Sequence, residues 1–242
     1  MVAAHAVTRH EIFQSSLITS LAQGVYEDEM SLAELLGHGS FGIGTFNELD
    51  GEMVILGGTC YRLRSDGSVS VPELSERTPY AVVTNFVPTI SRPVAGPVTR
   101  QEFSRIVDGL VPSSNYMYAL RVTGRFAWAS ARTVERQERP YKPMVEATDG
   151  EEVVRRESFT GTIAGFRTPL YESGISVAGC HAHVIDDERS WGGHLVDFVL
   201  EDGTVELCLG TDFRLRLPLT EEFSAADLSE DMSEEIKQVE HH

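Results

Sequence analysis

The chain has 242 residues, 41% hydrophobic and 24% charged, the composition of a soluble globular protein long enough for one large domain or two small ones. Its net charge of −17 argues against nucleic acid and anionic membrane as partners, since both repel a polyanion. No apolar run approaches the roughly 20 residues of a membrane-spanning helix, and no signal-peptide pattern opens the chain, so a cytoplasmic enzyme or binding protein is expected.

Taken in chain order, "IFQSSLITSLAQ" places apolar residues at 12, 13, 17, 18, 21 and 22, a helical spacing. "SLAELLGHG" sets Ser31 three residues before Glu34, which predicts a capped short helix ended by Gly37. Strands follow in "FGIGTF", "EMVIL" and "TCYRLRSDGSVSV", the last folded at Asp66-Gly67, and then in "AVVTNFV". Pro93, Gly96 and Pro97 read as a break. Thr99 and Glu102 then form a second capping box, opening a helix over "TRQEFSRIVDGL". "NYMYALRVTGRFAWASARTV" reads as a strand pair bent at Gly124, and the polar, proline-containing stretch 138–152 as a boundary or long loop. Beyond it "SFTGTIAGFRTP", "GISVAGCHAHVID", "GGHLVDFVLEDGTVELCLGT" and "FRLRLPL" are strand-like, with a hairpin turn expected at 201–203. The class is α+β. Two strand-rich halves with mixed sheets and a few flanking helices are expected, an N-terminal domain over 1–140 and a C-terminal one over 141–242.

Cys60, Cys180 and Cys208 are odd in number, far apart and in apolar contexts, so they are expected to be reduced and buried. The last stretch, "LTEEFSAADLSEDMSEEIKQVE", carries much of the negative charge and reads as a solvated tail.

Three of the eight histidines fall within "GCHAHVIDDERSWGGHLVDF". Residues two apart on a strand face one side, so His181 and His183 project together. "DDERSWGG" is a turn-rich connector that allows "HLVDFVL" to return antiparallel, which brings His194 near the pair. A lone histidine of this kind is ordinarily a hydrogen-bonded core residue. Three converging imidazoles with one side open are instead the arrangement of a catalytic metal site, and zinc takes three protein ligands plus water or substrate there. His5, His10 and His38 lack such grouping and read as ordinary polar residues, while His241 and His242 resemble the start of a purification tag.

With these residues in view, "GSFGIGTFNELDGEMVILGGTCYRLRSDGSV", "ARTVERQERPYKPM" and "GCHAHVIDDERSWGGHLVDF" together resemble the α-acetolactate decarboxylase family, in the family's order and over most of the chain. The resemblance implies decarboxylation of 2-acetolactate to acetoin in acetoin and butanediol biosynthesis. It implies zinc on His181, His183 and His194, with Glu52, Arg132, Thr45 and a C-terminal glutamate, Glu240, completing the site. It also implies a homodimer. The family often has an aromatic before the first metal histidine and a larger apolar residue between the pair, where this chain has Cys180 and Ala182. Cys180 is a second-choice ligand, since a thiolate suits zinc but its side chain points to the opposite face of the strand from His181. On local sequence alone, Glu52 reads equally as the edge of a solvated turn, Arg132 as part of a surface charge cluster with Arg136, Glu138 and Arg139, and Glu240 as tail.

Losing carbon dioxide from a β-keto acid requires an electron sink, either a lysine imine or a metal acting as Lewis acid. The chain has only Lys142 and Lys237, neither in an apolar strand setting, which favours the metal. Arg132 offers a planar fork for a carboxylate or oxyanion, and Glu52 a proton carrier. The donor of the final proton is left open among a glutamate, water and Arg132. Two other classes compete with this reading. A non-catalytic metal- or small-molecule-binding module would not need Glu52 and Arg132, and a zinc hydrolase would be expected to show a motif such as H-E-x-x-H, which is absent.

Overall fold

The computed structural model describes residues 10–229 and 231–241, with the side chains of 240 and 241 outside that description. His5 and His242 lie outside it as well. Two sheets carry the architecture, with short helices around them, which is the expected α+β class.

The first sheet has the order β12-β1-β6-β2-β3-β4-β5, built from β1 (Glu11–Ser15), β2 (Phe41–Thr45), β3 (Glu52–Leu56), β4 (Thr59–Leu63), β5 (Val69–Ser70), β6 (Ala81–Thr84) and β12 (Asp212–Arg216). All its pairings are antiparallel except β1 with β12. Every residue of β2 and β6 is buried, which explains their continuous apolar reading. Antiparallel pairings throughout give the second sheet the order β10-β9-β8-β11-β7. Its strands are β7 (Ile90–Thr99), β8 (Tyr118–Arg132), β9 (Val154–Thr168), β10 (Gly179–Asp186) and β11 (Gly192–Leu209). β10 also pairs with the start of β11. Residue 140 falls between β8 and β9, which are neighbours in this sheet.

Helices fill the margins: α1 (Ile18–Ala22), α2 (Leu32–Leu36), α3 (Arg100–Leu110), α4 (Met144–Ala147), α5 (Glu221–Ala225) and α6 (Ser233–His241). Ser31 caps α2 by accepting from the Glu34 amide, and Thr99 with Glu102 forms the full capping box of α3. Between the sheets a large core includes Ile12, Tyr26, Ile43, Val54, Tyr80, Phe166 and Ile185, joined by Ile236 and Val239 of α6. A second core, centred on Phe126, Phe159 and Phe198, lies between the second sheet and α3.

Six local expectations are corrected. Residues 12–15 are strand, not helix, because β1 is paired on both sides, and only Ile18–Ala22 coils. The proline-rich "break" is β7, an edge strand, where a proline costs no ladder bond on its open side. The bend at Gly124 and the hairpin at 201–203 are also absent. Gly124 and Gly203 face each other across two unbroken strands, β8 and β11, and a Cβ on Gly124 would lie 2.2 Å from the Asp202 carbonyl oxygen. Both glycines therefore serve close strand approach, with the irregularity absorbed by register shifts on β11 near Leu200 and Asp202. Cys60 and Cys208 are free and buried as expected, but Cys180 is exposed. The tail is not wholly solvated either, since Ile236 and Val239 are buried.

Candidate metal centre

His181 and His183 stand on β10 with Ala182 between them, and His183 is directly opposite His194 on β11. The connector between the strands is tied by Asp186, whose carboxylate accepts from the amides of Ser190 and Trp191 and from the Ser190 hydroxyl. Gly192 and Gly193 complete the return, and a Cβ on Gly192 would lie 2.3 Å from the Val184 carbonyl oxygen. The three rings converge, with one candidate ligand atom from each lying within 4.8 Å of the others, and all three residues are buried.

Strand β3 from the first sheet orients the group. The Met53 carbonyl accepts from His183 Nδ1 at 2.8 Å, so Nδ1 carries the proton and Nε2 presents its lone pair. Burial, with the nearby His181, pushes the His183 pKa down to about 3, so the ring is neutral at physiological pH. Its Nε2 is buried without a hydrogen-bond partner among the described residues. Three converging imidazoles, with the His183 lone pair aimed into the cluster, fit a bound divalent ion.

Glu52, the first residue of β3, is paired with Thr45, the last of β2. The turn between them needs Gly51 at φ +96°, where a Cβ would also meet the Leu63 carbonyl oxygen at 2.5 Å. The turn is not solvated: Asp50 is held by Arg62 and Arg64, and Glu52 Oε2 reaches to 3.4 Å from His183 Nε2. Thr45 donates from its hydroxyl to the Gly51 carbonyl, which fixes this corner.

Arg132 ends β8 opposite His194. It is separate from the surface cluster, in which Arg136 pairs with Glu48 and Arg139 with Glu27 and Glu222. With a side chain only 11% exposed, Arg132 lines one cavity with Thr45, Glu52, Tyr80, His181 and His194. The expected site residues are thus brought together, save that the Glu240 side chain lies outside the described residues. Its helix does return, since Val239 lines the same cavity. Cys180 and Ala182 face a different cavity, beneath α3, so Cys180 is not among the converging ligands.

Sequence reasoning missed Met144, Thr148 and Glu151, which close the cavity from the stretch read as a loop. It also missed the Met53 carbonyl, which no side-chain pattern can reveal.

The model of the α-acetolactate decarboxylase family matches residues 12–230. The chain belongs to the α-acetolactate decarboxylase family. It is 42% identical to the α-acetolactate decarboxylase of Bacillus subtilis over 95% of this chain and 91% of that one. Identity to the Klebsiella aerogenes enzyme is 43%, over 90% and 84% respectively. The crystal structure of the Bacillus subtilis enzyme superposes with a TM-score of 0.94, covering 96% of this chain and 100% of that one. A Staphylococcus aureus protein described as similar to α-acetolactate decarboxylase gives 0.91 at 30% identity, covering 95% and 100%. Membership makes the chain an enzyme of the acetolactate decarboxylase class, a carboxy-lyase.

Proposed function

We propose that this enzyme converts 2-acetolactate to acetoin and carbon dioxide, with zinc held by His181, His183 and His194. The observation that carries the reading is a cavity lined by Glu52, Arg132, His181 and His194, with His183 converging on the same two imidazoles, in a member of this family. Neither Lys142 nor Lys237 lines that cavity, so nothing there supports an imine.

Zinc, when bound, supplies a Lewis acid for the substrate's ketone and hydroxyl oxygens. Three neutral ligands leave its charge undiminished. The chain's own groups do the rest. Arg132 presents a guanidinium to the substrate carboxylate in a cavity sheltered from water, where a charged hydrogen bond counts for more. As the bond to the carboxylate carbon breaks, its electron pair passes to the former ketone oxygen, and one proton is taken up at carbon to give acetoin. Glu52, beside the histidines and fixed by the Thr45–Gly51 corner, is the group we assign to proton handling. Glu240, one residue beyond Val239, is the further carboxylate we place at the site. We also propose that the enzyme is a cytoplasmic homodimer serving acetoin and butanediol biosynthesis.

The test is to incubate zinc-loaded enzyme with racemic acetolactate and follow acetoin, beside a chelator-treated sample and a His181→Ala variant. Acetoin well above the spontaneous rate in the first sample alone is expected. No excess in any sample refutes the reading.

A further inference from the structure

We infer that Glu151 is a positioning residue that keeps the Arg132 guanidinium turned into the metal cavity; this rests on the reading of Arg132 as the carboxylate-binding group. Glu151 Oε2 lies 3.6 Å from Arg132 Nε, and the two side chains are only 8% and 11% exposed. An ion pair this sheltered is far less screened than the surface pairs elsewhere on the chain.

The pair's place in the fold gives it a task. On one side is the metal cavity, with Glu52, His181 and His194. A second, polar cavity lies on the other, lined by Arg64, Thr133, Glu135, Asp149, Glu152 and Trp191. Arg132 and Glu151 are the two residues that line both, so they form the partition between them. A guanidinium at the end of a flexible stem has two destinations here. Glu135, Asp149 and Glu152, together with water, offer it partners in the outer cavity. Glu151 engages the Nε edge, which leaves the fork of the two terminal nitrogens for a planar carboxylate.

Glu151 is itself anchored to the wall. Its amide donates to the Thr148 carbonyl at 3.3 Å, just after α4, whose Met144 is buried in the inter-sheet core. Thr148 and Met144 line the metal cavity too. The carboxylate is therefore carried by a segment docked on the core.

The test is a double-mutant cycle of Glu151→Ala and Arg132→Ala in the metal-loaded full chain. One readout is kcat/KM for acetoin formation. The other is the Kd of 2-hydroxy-2-methylbutanoate, an inert acid with the substrate's carboxylate and hydroxyl but no ketone. With Arg132 present, Glu151→Ala is expected to cost about tenfold in both readouts. In the Arg132→Ala background the same change is expected to cost less than about twofold, because contacting residues couple. Metal content is expected to stay unchanged. Glu151→Gln keeps the side-chain volume and carries the same cycle if the alanine chain does not fold. An equal loss in both backgrounds, or no loss in either, overturns the inference. Should the parent enzyme form no acetoin while the Kd cycle still shows coupling, the decarboxylase reading fails and the positioning role stands.

Discussion

Acidification of the metal-free enzyme tests the burial of His183 directly. The folded ring has its pKa pushed down from 6.5 to about 3 by burial and by His181, against the raising effect of the Met53 carbonyl. In the unfolded chain it regains the ordinary value. As pH falls through 6.5, the unfolded chain takes up a proton that the folded one refuses, so stability is lost progressively from 6.5 down toward 3. At about 1.4 kcal/mol per pH unit, the loss from this one ring at pH 5 is about 2 kcal/mol. The assay is urea unfolding of chelator-treated protein between pH 7.5 and 5, in parallel with His183→Asn. The asparagine amide replaces Nδ1 as donor to Met53 but does not titrate. Asp28 and Glu172, whose carboxyls burial pushes up, oppose the trend on acidification, so the quantity to compare is the difference between the two proteins at each pH. The parent is expected to lose about 2 kcal/mol more than the variant between pH 7.5 and 5. Equal slopes for both would refute a neutral, buried ring at position 183.

Chelation is expected to abolish acetoin formation and lower Tm, with both recovered on adding zinc, as thermal melts and acetoin assays can check. Arg132→Lys keeps the charge but loses the fork, and kcat/KM is expected to fall by more than about tenfold with metal content unchanged. Ending the chain after residue 231 removes buried Ile236 and Val239 and one wall of the cavity, and is expected to cost at least about tenfold in rate and about 2–5 kcal/mol of stability. Gly192→Ala forces a Cβ onto the Val184 carbonyl, so loss of bound metal, read by elemental analysis, is expected before loss of the rest of the fold.

The convergence of the three histidines was legible because its determinants are local. An H-x-H on a strand, a turn-rich connector and a third histidine on the return point to one hairpin with His194 near the pair, and the structure sets His194 directly opposite His183. The capped starts of α2 and α3 were legible for the same reason. Where the reading failed, distant pairing overrode local pattern. "IFQS" is helical by spacing but sits between β12 and β6, and Gly124 signals a bend only until Gly203 is seen opposite it. Glu52, Arg132 and Thr45 were placed by family resemblance and not by spacing, because what brings them to the histidines is the packing of β3 and β8 around β10 and β11. Glu151 had no signal at all. "TDGEE" is the composition of a solvent-exposed turn, and only the docking of Met144 on the core turns one of its carboxylates inward.

The division of labour between the sheets has a consequence for biogenesis. All three imidazoles belong to a single hairpin whose ends are joined by a short connector, so closing it carries little chain-entropy cost. Glu52, Thr45 and the Met53 carbonyl arrive from a sheet laid down much earlier in the chain, while Val239 comes from its last helix. The three imidazoles therefore meet by a local closure, whereas the carbonyl that orients His183 and the cavity wall that Val239 completes require both sheets and the last described helix to be in place.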